Sequence, residues 1–128
     1  MVYITRVRSI VEFAAPVFHG GLSKEQSNQL ETVQKKALAI ILGKDYQSYE
    51  FALSHLCLER LDIRRENICL RFAMKCVESP KHRWMFPANC NTRPNLRNPK
   101  PYLEPQCSTA RYYHSSIPYM ARLLNKKS

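Results

Sequence analysis

A chain of 128 residues, 45% of them hydrophobic, can bury one modest core and is not disordered throughout. No apolar run reaches the length of a bilayer crossing, which excludes a transmembrane helix. The formal charge of +10 is unevenly spread: residues 1–78 hold eleven Lys/Arg and nine Asp/Glu, residues 79–128 nine Lys/Arg against the single acid Glu104. A basic rear half on a balanced front half points to a polyanionic partner, nucleic acid before membrane because no basic amphipathic helix dominates it. A solvated surface that aids solubility is the alternative reading.

In chain order, residues 2–15 read as a first helix. Tyr3, Val7, Ile10 and Ala14, with Ile4 and Val11 beside them, form its apolar stripe, and Arg6, Arg8 and Glu12 alternate with it. Pro16 restricts the residue before it and lacks an amide donor, so the helix is expected to end near Ala15. Val17 and Phe18 read as core, Gly20-Gly21 as a turn, and His19, without a second ligand nearby, as structural. A central helix over 24–42 follows, expected to pack antiparallel to the first across the short connection. Ser23 with Gln26 fits a capping box, and Gly43 supplies the stop. Leu30, Val33, Ala37, Ile40 and Ile41 recur at helical spacing as its inward stripe, leaving Glu31, Gln34 and Lys35 to solvent.

Ser48 is expected to cap a short third helix, Tyr49 to Leu56, with Phe51, Ala52, Leu53 and Leu56 inward. A fourth helix spans about 62–78, with Ile68, Cys69, Phe72, Ala73, Cys76 and Val77 as its apolar stripe. Arg64, Arg71 and Lys75 line one flank, with Arg65 near them; this is either a phosphate-contacting ridge or a solvated face. After Ser79-Pro80 the periodicity stops, and Pro80, Pro87, Pro94, Pro99, Pro101 and Pro105 make 80–110 extended and irregular, unable to fold alone. Trp84, Phe86, Tyr102, Tyr112 and Tyr113 alternate there with Arg83, Arg93, Arg97, Lys100 and Arg111. Cations for phosphates and rings for stacking are what tracking a nucleic-acid strand requires. Alternatively, Trp84 and Phe86 pin the segment onto the helical core. Ser115 or Ser116 with Pro118 then starts a short helix through Asn125 with Met120, Leu123 and Leu124 on its apolar side. The expectation is an all-α fold: about four helices over 1–79 and a Pro-rich basic extension over 80–128 ending in a short helix.

Catalytic chemistry finds no support in the residues. Metal-dependent phosphoryl transfer needs close carboxylates, and the two aspartates, Asp45 and Asp62, lie in different segments. Cys76, His82, Cys90 and Cys107 match no zinc spacing. His55 and Cys57 are two apart and would point to different helix faces. The five cysteines form no CxxC pair and no secretion signal precedes them, so free thiols are expected, with Cys69 and Cys76 as small core residues. Three glycines leave no phosphate-cradling loop. A non-enzymatic, cofactor-free, non-secreted chain of the cytoplasm or nucleus is the expectation.

Four ordered blocks add an identity. RSIVEFAAPVFHGGLS (8–23), LETVQKKALAIILG (30–43), IRRENICLRFAMKCVESPKHRWMFP (63–87) and RYYHSSIPYMARLLN (111–125) together resemble reverse transcriptases of jockey-like non-LTR retrotransposons, in the segment downstream of the catalytic palm. The matching positions include Arg8, Ser9, Glu12, Phe13, Val17, Phe18 and His19; Glu31, Val33, Gln34, Lys35, Ala37 and Ile40; and Arg64, Arg65, Cys69, Leu70, Phe72, Ala73 and Lys75. Phe18 stands where that family usually has Trp, and Glu59-Arg60 where it often has Pro-Thr. Its aromatic-Ala-Asp-Asp catalytic box would lie upstream. The resemblance implies a thumb-like fragment of a longer polyprotein, partnered by the upstream palm, which would hold the magnesium. Such a region would grip template RNA and the RNA/DNA primer duplex through phosphate contacts without reading sequence. Arg64, Arg65, Arg71 and Lys75, then Arg93, Arg97, Lys100 and Arg111, are the expected contacts. A structural connector, or a degenerate remnant with no nucleic-acid role, is the rival reading.

Overall fold

The computed structural model describes residues 2–88 and 100–127, and among them every regular element is a helix; the protein is all-α. A π-helical stretch, Tyr3–Arg8, continues into α1 (Ser9–Glu12), followed by α2 (Ala15–Phe18), α3 (Lys24–Leu42), α4 (Tyr49–Leu56), α5 (Leu61–Glu78), α6 (Ala110–Tyr113) and α7 (Ser116–Lys127). Side-chain caps set three of the starts. Ser23 Oγ accepts from the Gln26 amide at 3.2 Å while Gln26 Oε1 accepts from the Ser23 amide at 3.1 Å, so the capping box forms as expected. Ser48 Oγ accepts from the Phe51 amide at 3.1 Å, and Thr109 Oγ1 accepts from the Tyr112 amide at 3.2 Å. Gly43 ends α3 at a φ of +57°, where a side chain would be strained.

The first helix is shorter than expected. It stops at Glu12, because Phe13 is extended and Ala14 takes a φ of +55°. Pro16 then lies in the first turn of α2, where its missing amide hydrogen leaves no helical bond unmade.

Two compact units result: Met1–Ala15 with Leu22–Glu66, and Pro16–Gly21 with Asn67–Ser128. The division falls inside α5, whereas the composition change that suggested a boundary lies after Ser79. The first unit is organised by buried polar groups. Glu31, Gln34 and Leu38, at i, i+3 and i+7, are the buried positions of α3. This overturns the expected stripe: Ile40 is 82% exposed, and Val33 and Ile41 also face water. The reason is hydrogen-bond demand from neighbouring elements. Tyr3 Oη donates to Gln34 Oε1 at 2.5 Å, and Gln34 Nε2 donates to Tyr49 Oη at 2.8 Å and to the Glu59 carbonyl at 3.1 Å. Glu31 accepts from Tyr49 Oη and, at 3.0 Å, from the Asp62 amide at the start of α5. Buried polar groups are tolerated when satisfied in this way. Burial pushes the Tyr3 phenol up to about 12, and burial with the Glu31 hydrogen bond pushes Tyr49 further still.

The second unit has an apolar centre. Cys69, Ala73 and Cys76 of α5 pack with Phe86 and with Met120, Ala121, Leu123 and Leu124 of α7 in one buried cluster. Each large side chain there contributes about 1.5–3 kcal/mol as an upper figure. Cys69 and Cys76 serve as small core residues, as expected, and burial pushes the Cys76 thiol up; Cys57, Cys69, Cys76 and Cys107 are all reduced, outside any disulfide. Residues 100–109 are irregular, as the prolines required, yet they are tied to the helices. The Tyr102 amide donates to Asn125 Oδ1 at 2.9 Å and the Tyr102 carbonyl accepts from Asn125 Nδ2 at 3.0 Å, and the Leu103 amide donates to the Pro87 carbonyl at 2.9 Å. Phe86 pins the segment, but Trp84 does not: it is 73% exposed. In the segment 16–21, a Cβ on Gly20 would sit 2.7 Å from Tyr119 Cβ, so only glycine allows that approach.

The titrating groups give stability a two-sided pH profile. Burial opposes ionisation of Asp62, but the Arg60 guanidinium at 3.2 Å and the Ile63 amide at 2.8 Å outweigh it and hold the carboxyl low. Glu104 is held low in the same sense, against burial, by Asn125 at 3.0 Å and Lys100 at 3.2 Å. A depressed carboxyl stabilises the fold above its unfolded value and loses that contribution as pH falls through the folded one. The raised tyrosines act oppositely: their contribution is complete below about pH 10 and is lost as pH rises further. Urea midpoints are expected to hold between about pH 5 and 9 and to fall below about 4 and above about 10. Asp62→Asn with Glu104→Gln should flatten the acid limb alone; an acid limb of unchanged steepness would contradict the assignment.

Candidate nucleic-acid interface

Of the expected contacts, Arg71 and Lys75 stand on the exposed flank of α5, and among the described residues neither makes an ion pair or hydrogen bond. Spacings of three and four set Ile68, Arg71, Phe72 and Lys75 on one face of the helix. That face adjoins the buried row of Cys69, Ala73 and Cys76. Phe72, expected inward, lies at the edge of the apolar stripe and is 43% exposed. Together with Pro16 these four residues line an open depression of about 240 Å³ with two cations and no acid on its walls.

Arg64 and Arg65 are placed differently. Both nitrogens on one edge of the Arg64 guanidinium, Nε and Nη2, donate to the Glu12 carboxylate, the latter at 3.2 Å. The Glu12 hydrogen bond also raises the affinity of Arg64 for its proton. Arg65 is fully buried and its Nη2 donates to Ser27 Oγ at 2.9 Å. Both therefore work inside the first unit. They hold α1 and α3 to the start of α5 and do not form a ridge with Arg71 and Lys75, because Glu12 and Ser27 offer partners that the spacing on α5 could not reveal.

Lys100 is an exposed residue, but its Nζ pairs with Glu104 at 3.2 Å. Arg111 is exposed on α6, between the Thr109 cap and two half-exposed rings, Tyr112 and Tyr113. Arg93 and Arg97 lie outside the described residues. No known protein family, curated protein or solved structure matches this chain.

Sequence reasoning did not single out Arg122, whose guanidinium lies 3.7 Å from the Tyr113 ring centre. The pair is nine positions apart across the break between α6 and α7, where helical spacing gives no signal. With Arg111, it adds a second place where cation and ring are presented together, the combination that single-strand binders use. Among the described residues no three His, Cys, Asp or Glu side chains come together as a metal site. Asp62 is engaged by Arg60, and Asp45 sits in the separate turn after α3. No helix among the described residues is long and apolar enough to cross a membrane.

Proposed function

We propose that this chain is a non-catalytic, thumb-like part of a retrotransposon-type reverse transcriptase that helps hold template RNA and the primer duplex. The observation that carries the reading is the pair of exposed, uncompensated cations Arg71 and Lys75 one turn apart on α5. The excess of nine Lys/Arg over one acid in residues 79–128 supports it. Contacts of this kind neutralise phosphates and release counterions, so they set affinity and position without specifying sequence. Polymerisation, with its magnesium, belongs in this reading to the upstream palm. Arg64 and Arg65 act here by stabilising the start of α5, and Arg71, Lys75, Lys100 and Arg111 make the contacts.

A salt titration tests the proposal. Affinity for an RNA/DNA hybrid is expected to fall steeply between about 50 and 200 mM salt, with a log–log slope near −0.9 per phosphate contacted. Arg71→Glu with Lys75→Glu should weaken binding uniformly across sequences and reduce that slope by about two. An affinity that barely moves with salt sinks the reading.

A second reading, a structural connector seated on the palm, is favoured by the large apolar side chains left in water: Phe13 at 79% exposed, Ile40 at 82% and Ile10 at 74%. It expects the double charge reversal to leave nucleic-acid affinity unaltered while the helical signal stays intact.

A further inference from the structure

We propose that the depression on α5 takes one unpaired nucleotide, its base against Phe72 and its phosphate between Arg71 and Lys75; this rests on the nucleic-acid reading above. The walls select for that chemistry in three steps. Pro16, Ile68 and Phe72 give it apolar lining, on which a bare inorganic anion gains nothing. Arg71 and Lys75, lining the same depression, repel cationic groups and favour an anion. The occupant must then join a flat apolar body to a negative charge, as a nucleotide does.

Size and exposure narrow it further. At about 240 Å³ the depression is below the roughly 300–1,000 Å³ typical of clefts for whole small ligands, so it suits one ring system and not an extended molecule. Phe72 is 43% exposed, although Cys69, Ala73 and Cys76 beside it on α5 are buried. A partly open ring beside two cations is the arrangement that stacks bases while tracking a backbone. Bases in a duplex are already stacked on their neighbours, so only an unpaired nucleotide can enter.

Fluorescence anisotropy separates this from backbone binding. The probes are a labelled single-stranded oligoribonucleotide and a blunt RNA/DNA hybrid, measured at equal salt. Phe72→Ala is expected to weaken the single strand by about five- to 150-fold, the range for losing one base–aromatic stack, and to leave the hybrid unchanged. Phe72→Leu keeps apolar bulk on the α5 face, guards against a folding defect, and should show the same selective loss. Equal losses on both probes, or no loss on the single strand, would overturn the proposal. If Arg71→Glu with Lys75→Glu weakens both probes while Phe72→Ala weakens neither, the stacking site falls and the nucleic-acid reading stands. If the double reversal changes neither affinity, the nucleic-acid reading falls with it.

Discussion

Glu31→Ala is expected to lower the free energy of unfolding by about 2–4 kcal/mol, whereas Ile40→Ser should change it by no more than about 0.5. Hydropathy alone would rank them the other way. Glu31 is buried and receives two donors, the Tyr49 hydroxyl and the Asp62 amide. Alanine removes the acceptor and strands both, and an unsatisfied buried donor costs about 1–3 kcal/mol. Ile40 is 82% exposed, so a serine there withdraws little apolar surface from the interior. Urea denaturation followed by circular dichroism measures both. Glu31→Gln keeps one acceptor oxygen and should fall between the two. A larger loss for Ile40→Ser than for Glu31→Ala would mean that α3 buries its aliphatic side after all.

That contrast shows what was legible in the residues and what was not. Caps are local chemistry, so Ser23 with Gln26 and Ser48 marked the starts of α3 and α4, and the bounds of α4 were read to the residue. The apolar side of α7 was equally plain, since Met120, Leu123 and Leu124 have apolar partners. Periodicity failed on α3 because it assumes that a buried face is apolar. Glu31 and Gln34 are buried because tyrosine hydroxyls from elsewhere in the chain meet them, at separations of 31, 18 and 15 positions. Helical spacing carries no such information. The site divides along the same line: the flank of Arg71 and Lys75 was visible as a spacing on one helix. That Arg64 has an acidic partner 52 positions away was not, and neither was the contribution of Pro16 to the depression.

The arginines of α5 supply the sharpest separation of structure from function. Arg65→Glu is expected to cost about 3–5 kcal/mol, a large share of a small protein's stability, and to remove the cooperative thermal transition or lower it steeply. Arg65 is fully buried, so a carboxylate in its place would lose its hydration and meet the Ser27 hydroxyl where a cation had donated to it. Arg65→Met keeps much of the volume without a charge and should be far milder, which separates loss of packing from burial of the wrong charge. Arg71→Glu, on the exposed flank of the same helix, should stay within about 0.5 kcal/mol of the parent and act on nucleic-acid affinity instead. Thermal melts and hybrid binding on the same preparations compare all three. If Arg65→Glu melts like the parent, the buried placement of Arg65 is wrong and its place among the phosphate contacts is restored. If it unfolds while Arg71→Glu folds and binds weakly, one helix carries its fold-holding arginine at the start and its ligand-holding one a turn and a half further on.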